Sequence, residues 1–306
     1  MTTIPEGRSL ELYFIDGRPD GMLTAEVFNW TGHVLMTPRT RISAALARKE
    51  ARYTGVYLLL GEQDGNPCAY VGESENISER IRSHDTNKEW WTTAVLITST
   101  ANNLNKAHVK YLEARLIKEA KDARRVEVVN GTGPTPGGLS EAARSNMEAF
   151  LGYLFMVLPA LRVDMFIRKT RPEVRNIAAT DGGSTASPRF KLTSRKHGLT
   201  ATAVLQDGEF IVEAGSQARL RWEGQGSEAS SYALLHEELR KTGVLEEKDG
   251  HCVFAENYAF SSPSAAAAVV NGRPAAGPRE WRLSDGSLTY REWEEKQLAL
   301  AAEQAA

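Results

Sequence analysis

Two short segments, GVYLLL at residues 55–60 and CAYVG at residues 68–72, decide the fold of the first half of the chain. Each is apolar and of strand length, and the turn-forming sequence EQDGNP lies between them. They predict two adjacent strands, each with a tyrosine near one end. Aromatic residues favour strands for packing reasons alone, so Tyr57 or Tyr70 taken singly is read as a core residue.

The flanking sequence extends this unit on both sides. LELYF and AEVFNW, on either side of a loop rich in turn formers, predict an N-terminal hairpin, and a short helix is expected near residues 43–50. After the second strand, Asn76 with Glu79 three positions on predicts a capped helix that runs to about His84. TTAVLITS predicts a third strand, and a long helix fits about residues 103–123.

A different pattern begins after residue 135. Residues 139–161 predict a helix with one apolar face, and the small, polar stretch 176–190 is the best domain boundary. Beyond it, strands in TATAVL and EFIVEA, helices near 231–242 and 262–273, and a helical tail predict a second α+β unit. The predicted divisions are a β-rich extension (1–50), a core (51–135), a helical extension (136–175), a linker (176–195) and a C-terminal domain (196–306).

Composition narrows the class of protein. The 306 residues have room for about two domains, and no apolar run approaches the roughly 18 residues that cross a bilayer. The N-terminus lacks a signal-peptide pattern, and the two cysteines lie far apart in sequence, so we expect a cytoplasmic protein without disulfides. The net charge of −2 speaks against a purely electrostatic nucleic-acid binder.

One stretch, residues 162–196, is nevertheless strongly basic. Its cations are Arg162, Arg168, Lys169, Arg171, Arg175, Arg189, Lys191, Arg195 and Lys196. Only Asp164, Glu173 and Asp181 oppose them. The stretch is either a solvated linker or a nucleic-acid contact surface, and in the second case Arg168, Lys169, Arg171 and Lys196 are its candidates.

Three charged positions point to chemistry. Arg80 and His84 are spaced i and i+4 on a predicted helix and so share a face, while Arg82 lies elsewhere on it. A guanidinium can hold a phosphate through two parallel hydrogen bonds, although a plain surface cation explains Arg80 as well. Glu113 falls within the apolar stripe of the long helix, where an unpaired carboxylate is costly. It should be paired with an arginine, partly exposed or bound to a hard cation such as Mg²⁺.

Taken together, these residues resemble the GIY-YIG nucleases. The order is GVY, YVG about ten residues later, an arginine ten positions after the second tyrosine, a histidine four further on, and then a glutamate and an asparagine. Valine replaces isoleucine in the first motif. The corresponding site residues are Tyr57, Tyr70, Arg80, His84, Glu113 and Asn130. The resemblance implies a small, mainly antiparallel three-stranded sheet flanked by helices.

The resemblance continues outside these motifs. GRSLELYFIDGRPDG, NWTG and LSEAARSNMEAFL look like one bacterial subgroup of the family. That subgroup carries a separate small C-terminal domain of unknown function, which FSSPSAAAAVVNGR and REWRLSDG resemble. The expected fold is therefore α+β, with an N-terminal β-hairpin extension, a GIY-YIG core and an α+β C-terminal domain.

The activity that the resemblance implies is metal-dependent hydrolysis of a phosphodiester, leaving 5′-phosphate and 3′-hydroxyl ends. Tyr57 would be the general base, Glu113 would hold Mg²⁺ or Mn²⁺, and Arg80 would offset phosphoryl charge. His84 would polarise the base or position water, and Tyr70 would bond the phosphate or orient the water. Asn130 would support the site.

Several alternatives remain open. DNA is preferred to RNA because most relatives act on DNA, in restriction, phage defence or repair, but an RNA-directed toxin fits the same residues. A catalytically silent nucleic-acid-binding module would retain the fold, and a homodimer or a recruiting protein partner would suit the C-terminal domain. Trp90 and its neighbour Trp91 either stack on a base or pack against the core.

Overall fold

The protein consists of two compact units, Met1–Arg168 and Lys169–Ala306. A computed structural model describes residues 7–85, 88–130, 138–171, 187–223 and 230–305, without the side chains of residues 84, 85, 304 and 305. Both units mix helices and sheets, so the predicted α+β class is confirmed. The predicted end of the core at residue 135 and the first part of the predicted linker lie outside the described residues.

In unit 1, the residues that the structure describes form one sheet of seven strands. The strands are β1 (Leu10–Phe14), β2 (Leu23–Val27), β3 (Gly32–Pro38), β4 (Gly55–Gln63), β5 (Asn66–Ser74), β6 (Trp91–Ser99) and β7 (Glu127–Val128). The helices are α1 (Ile42–Ala47), α2 (Ile77–Arg80), α3 (Lys106–Ala123) and α4 (Glu141–Ala160). The strand order is β1-β2-β3-β6-β4-β5-β7, and every pair is antiparallel except β5 with β7.

The three predicted strands correspond to β6, β4 and β5. The observed sheet is larger than predicted, because β3 joins the N-terminal hairpin to β6. The sequence of β3 has no polar alternation, since Val34 and Leu35 point to opposite faces and are both buried. The N-terminal strands are thus part of the central sheet.

Each face of this sheet carries its own hydrophobic core. Val56 and Leu58 belong to the core that includes the buried residues of α3 and α4, whereas Tyr57 and Leu59 belong to the core that includes α1 and α2. The alternation follows from the two-residue period of a strand. It sends successive residues of β4 to opposite sides, so Tyr57 lies on the side of α2.

The described residues of unit 2 form two sheets and four helices. Its strands are β8 (Thr170–Arg171), β9 (Arg189–Ser194), β10 (Leu199–Gln206), β11 (Glu209–Val212), β12 (Gln217–Ala218), β13 (Leu245–Lys248), β14 (His251–Phe254), β15 (Asn257–Phe260) and β16 (Arg282–Leu283). Its helices are α5 (Ser231–Lys241), α6 (Pro263–Asn271), α7 (Gly277–Glu280) and α8 (Tyr290–Ala305). The sheet orders are β16-β9-β10-β11-β15-β8 and β12-β14-β13.

Aromatic residues fill the core of unit 2. Trp281 is fully buried against Phe210, and its indole Nε1 donates to the Pro263 carbonyl at 3.1 Å. Phe190 is fully buried on β9, a strand that lies within the range predicted as a linker. Along β9, buried residues alternate with more exposed ones, as expected for a strand with one face on the core.

In the part of the chain that the structure describes, no helix has both the length and the apolar character needed to span a membrane.

Candidate active site

Two tyrosines lie side by side on the sheet. Tyr57 of β4 is opposite Gly72 of β5, and Tyr70 is opposite Leu59, so the two phenols share one face. Their ring centroids are 6.1 Å apart, with Tyr57 fully buried and Tyr70 half-buried. A Cβ at residue 72 would lie 2.4 Å from Tyr57 Cζ, so only glycine fits beneath this ring. The YVG motif therefore both supplies a tyrosine and makes room for its partner.

Arg80 connects these tyrosines to the helix that follows. It is the last residue of α2, whose first turn is capped by the Asn76 side chain accepting from Glu79 N at 3.3 Å. Partial burial lowers the pKa of the Arg80 guanidinium, but hydrogen bonds and charge interaction with Tyr57, and then with Tyr70, outweigh it and leave the pKa raised. Its buried Nε has no acceptor among the described residues.

His84 lies just beyond, in a π-helical turn at Ile81–Asp85, and its side chain is outside the described part of the chain. A π-helical turn has a different residue spacing from an α-helix. The shared face of Arg80 and His84 stays a prediction, because the His84 side chain lies outside the described residues. Arg82 is exposed, and one of its guanidinium nitrogens donates to the Leu46 carbonyl at 3.4 Å.

Glu113 of α3 is the most perturbed carboxyl of the site. Burial and the nearby negative charge of Glu73 raise its pKa to about 7, against smaller opposing effects of the cations Lys106, Arg80 and Lys110. No arginine or lysine among the described residues forms an ion pair with it. The buried salt bridge considered from sequence is therefore not seen, and the carboxylate keeps its binding capacity.

Glu73 was missed by the sequence reasoning. It follows the YVG motif directly, and strand alternation turns it to the face opposite Tyr70, which is the face covered by α3. Both Glu73 oxygens accept from Lys106 Nζ at 2.8 Å, and Lys106 is the first residue of α3. The period-two pattern of β5, extended one residue past the motif, could have identified it.

The donor set agrees with a hard divalent cation. Glu113 is a half-buried carboxylate without a cation partner, and Glu73 is a second carboxylate close enough to raise its pKa. No group of three histidine, cysteine, aspartate or glutamate side chains is arranged to hold a metal within the described ranges. Mg²⁺ often takes only one or two protein carboxylates and keeps several waters, so the residues present fit it.

Asn130 fastens the strand that carries the second motif. Its Oδ1 accepts from Val71 N at 3.0 Å, and its Nδ2 donates to the Val71 carbonyl at 2.6 Å. The Val129 N–H also donates to the Ala69 carbonyl at 2.9 Å, so the side chain of Asn130 continues the parallel ladder of β7. The amide thereby holds the residue between Tyr70 and Gly72, which is a supporting role.

The tryptophans lie in the core on the α2 side of the sheet. Trp91 is fully buried, with the Arg39 guanidinium 4.3 Å from its ring centroid. Trp90 is half-buried and packs against the same core, and its carbonyl accepts from Glu62 N at 3.3 Å. The burial of Trp91 and the packing of Trp90 against the same core favour the interpretation of both residues as core residues over base stacking.

Several cations of the basic stretch already have carboxylate partners among the described residues. Arg168 donates to Glu119 at 2.6 Å and to Asp122 at 2.7 Å, and Arg171 forms a bidentate pair with Glu209. The Lys169 carbonyl accepts from Ala259 N at 2.7 Å. Lys196 is exposed in the turn after β9. Arg168 and Arg171, which were predicted to contact nucleic acid, thus already have carboxylate partners.

Comparison with known proteins bears on unit 2. A family model described as a domain of unknown function (DUF4357) matches residues 190–294, about a third of the chain. The C-terminal part of the chain is therefore similar to a domain of unknown function, as expected. Neither the curated proteins nor the solved structures contain a match to the chain.

Proposed function

We propose that unit 1 is a metal-dependent endonuclease of the GIY-YIG type that hydrolyses phosphodiester bonds in DNA. The observation that carries this proposal is the position of Arg80, which interacts with the phenols of Tyr57 and Tyr70 and also with the charge of Glu113. One cation thus connects a pair of potential acid–base groups to a potential metal ligand. The motif order that resembles the family supplies the reaction class.

Tyr57 is assigned as the general base that takes a proton from the attacking water. A free phenol has a pKa near 10, so this role requires a nearby cation that favours the phenolate. Arg80 is such a cation. Its remaining donors then stabilise negative charge on the phosphoryl oxygens as the water oxygen bonds to phosphorus and the bond to the 3′ oxygen breaks. The leaving 3′ oxygen takes up a proton from solvent water. The products are a 5′-phosphate and a 3′-hydroxyl.

Tyr70 is assigned to bond the phosphate or orient the water, because its half-buried ring lies beside Tyr57. Asn130 acts by holding Val71 and hence the position of β5. His84 keeps its assignment from the family pattern as a group that polarises the base or positions water. Arg168 and Arg171 would contact nucleic acid only by giving up their carboxylates.

Glu113, with Glu73 nearby, would hold Mg²⁺ or Mn²⁺. When bound there, the ion supplies Lewis-acid stabilisation of the leaving 3′ oxygen. Because only the deprotonated carboxylate is a ligand and Glu113 has a pKa of about 7, its affinity for the ion should fall as the pH drops below about 7.

Cleavage of end-labelled single-stranded DNA, duplex DNA and RNA tests the proposal, with Mg²⁺, Mn²⁺ or EDTA present. We expect metal-dependent cutting of DNA that is lost in Arg80→Ala and in Glu113→Gln. Glu62→Gln is the matched control, because Glu62 is exposed near the far end of β4 and the change removes the same charge.

Each outcome has a distinct meaning. Full activity in Glu113→Gln or Arg80→Ala would reject the residue assignments. Metal-dependent cutting of RNA alone would keep the chemistry and replace DNA as the substrate. Binding without cutting, unaffected by EDTA, would identify a silent nucleic-acid-binding module.

A further inference from the structure

Unit 2 contains a groove of about 630 Å³ whose walls come from distant parts of the sequence. It lies between β9 with its following turn, the end of α6, and β16 with its following turn. The lining residues are Lys191, Thr193, Ser194, Arg195, Lys196, Asn271, Arg273, Glu280, Arg282, Leu283, Ser284 and Gly286. All of them fall within the matched stretch, residues 190–294.

The groove is strongly cationic. Five of its lining residues are arginine or lysine and one is a carboxylate, so its formal charge is +4, in a chain whose net charge is −2. The carboxylate, Glu280, is already occupied, because it accepts from Asn271 Nδ2 at 2.8 Å and pairs with Arg273 at 3.7 Å.

The other four cations are exposed and have no ion pair among the described residues. They are Lys191, Arg195, Lys196 and Arg282. This distinguishes them from the paired Arg168 and Arg171. Three of the four, all except Arg282, belong to the basic stretch at residues 162–196.

Two of these cations face each other at a cost to the fold. Lys191 of β9 is directly opposite Arg282 of β16, and strand alternation turns both outward, since Phe190 and Leu192 point into the core. Like charges directly opposite on a sheet are destabilising. An anion placed between them would remove the repulsion and gain two charge-assisted contacts.

We propose that this groove binds the phosphodiester backbone of a nucleic acid, with duplex DNA as the intended ligand. The inference rests on the proposed function for the choice of DNA, while the groove's charge argues for a polyanion. Four cations on two segments of the chain, residues 191–196 and Arg282, suit several phosphates better than one small anion. No aromatic side chain among the described residues lines the groove, so we expect contacts with the backbone and not with stacked bases. The domain would then hold DNA without reading its sequence.

The test measures binding of labelled duplex DNA to the full chain over a series of salt concentrations. Glu113→Gln is used as the background, with EDTA present, so that no cleavage occurs. The groove variant is Lys191→Gln with Arg282→Gln. The matched control is Lys248→Gln with Lys296→Gln, which removes two exposed cations that do not line the groove.

We expect the groove variant to bind roughly tenfold more weakly at moderate salt. Each lost phosphate contact lowers the slope of log K against log salt concentration by about 0.9, so the slope should become shallower by about 2. The control should keep the wild-type slope. Removing the like-charge pair should leave unit 2 at least as stable, and thermal denaturation checks that lost binding is not lost folding.

Equal affinity and equal slope in the groove variant and the control would overturn the proposal. Single-stranded DNA and RNA as further ligands decide the source of the phosphates: a groove-dependent slope with these alone would overturn the choice of duplex. If the wild type cuts DNA but its groove variant binds normally, only this inference fails. If binding depends on the groove but no metal-dependent cutting occurs, only the nuclease proposal fails.

Discussion

Replacing Glu113 by glutamine should make the protein more stable at alkaline pH while abolishing the proposed metal-dependent cleavage. The pKa of Glu113 is raised from 4.5 to about 7 by burial and by Glu73. A carboxyl whose pKa is higher in the folded state stabilises the fold while protonated, and this stability is lost as the pH rises from about 4.5 through 7. Glutamine resembles the protonated form and does not titrate.

The magnitude follows from the same two values. At about 1.4 kcal/mol per pH unit, the difference between 4.5 and about 7 corresponds to at most about 3 kcal/mol. Glu113 is only half-buried, so solvent screening reduces this to about 1–2 kcal/mol. We therefore expect Glu113→Gln to exceed the wild type by about 1–2 kcal/mol at pH 8 and to equal it near pH 4.

Urea denaturation of both proteins at pH 4, 6 and 8 measures the effect, with and without Mg²⁺. Added Mg²⁺ should stabilise the wild type and close the gap at pH 8, because an ion that binds only the folded state adds to its stability. The same addition should leave the glutamine variant nearly unchanged. A variant that is less stable than the wild type at pH 8, or a gap that does not depend on pH, would refute the account of Glu113.

Three further changes test the support of the site. Gly72→Ala should lower the free energy of unfolding by about 1–3 kcal/mol and impair cleavage, because the new Cβ would overlap the Tyr57 ring. Thermal denaturation and cleavage assays measure the two effects, and normal activity would contradict the close approach of residue 72 to Tyr57. Asn130→Ala should cost about 2 kcal/mol in urea denaturation, since two backbone groups of Val71 lose their partners; an unchanged midpoint would exclude this. Arg168→Gln should lower stability by about 1 kcal/mol and leave DNA affinity nearly unchanged, and a large loss of affinity in a binding titration would restore Arg168 as a DNA contact.

The sequence predicted those elements whose signals are local. The strands that contain GVYLLL and CAYVG, the cap at Asn76 and the long helix α3 are all present. Helix α3 begins at Lys106, later than the predicted residue 103, because Asn105 and His108 form a capping box there. Periodicity and capping act within a few residues of the chain, which is why one sequence is enough to locate them.

Features that depend on distant residues were not predictable. The place of β3 in the central sheet depends on its pairing with β6. Glu73 becomes part of the candidate site only because it pairs with Lys106 of helix α3, more than thirty residues away. The basic groove brings Lys191 beside Arg282, which no local pattern connects. The π-helical turn at Ile81–Asp85 was likewise not predicted, since the sequence pattern indicated a capped helix running to about His84.

The bond between Asn130 and Val71 has a consequence for the order of events during synthesis. The two residues are separated by 59 positions, so the amide that fastens β5 leaves the ribosome roughly 3–12 s after the strand, at about 5–20 residues per second. Until then the segment with Tyr70 and Gly72 lacks its final neighbour. The tyrosines and Arg80 of a growing chain are therefore made before the amide that holds the residue between Tyr70 and Gly72, and β5 gains this support only after Asn130 has docked.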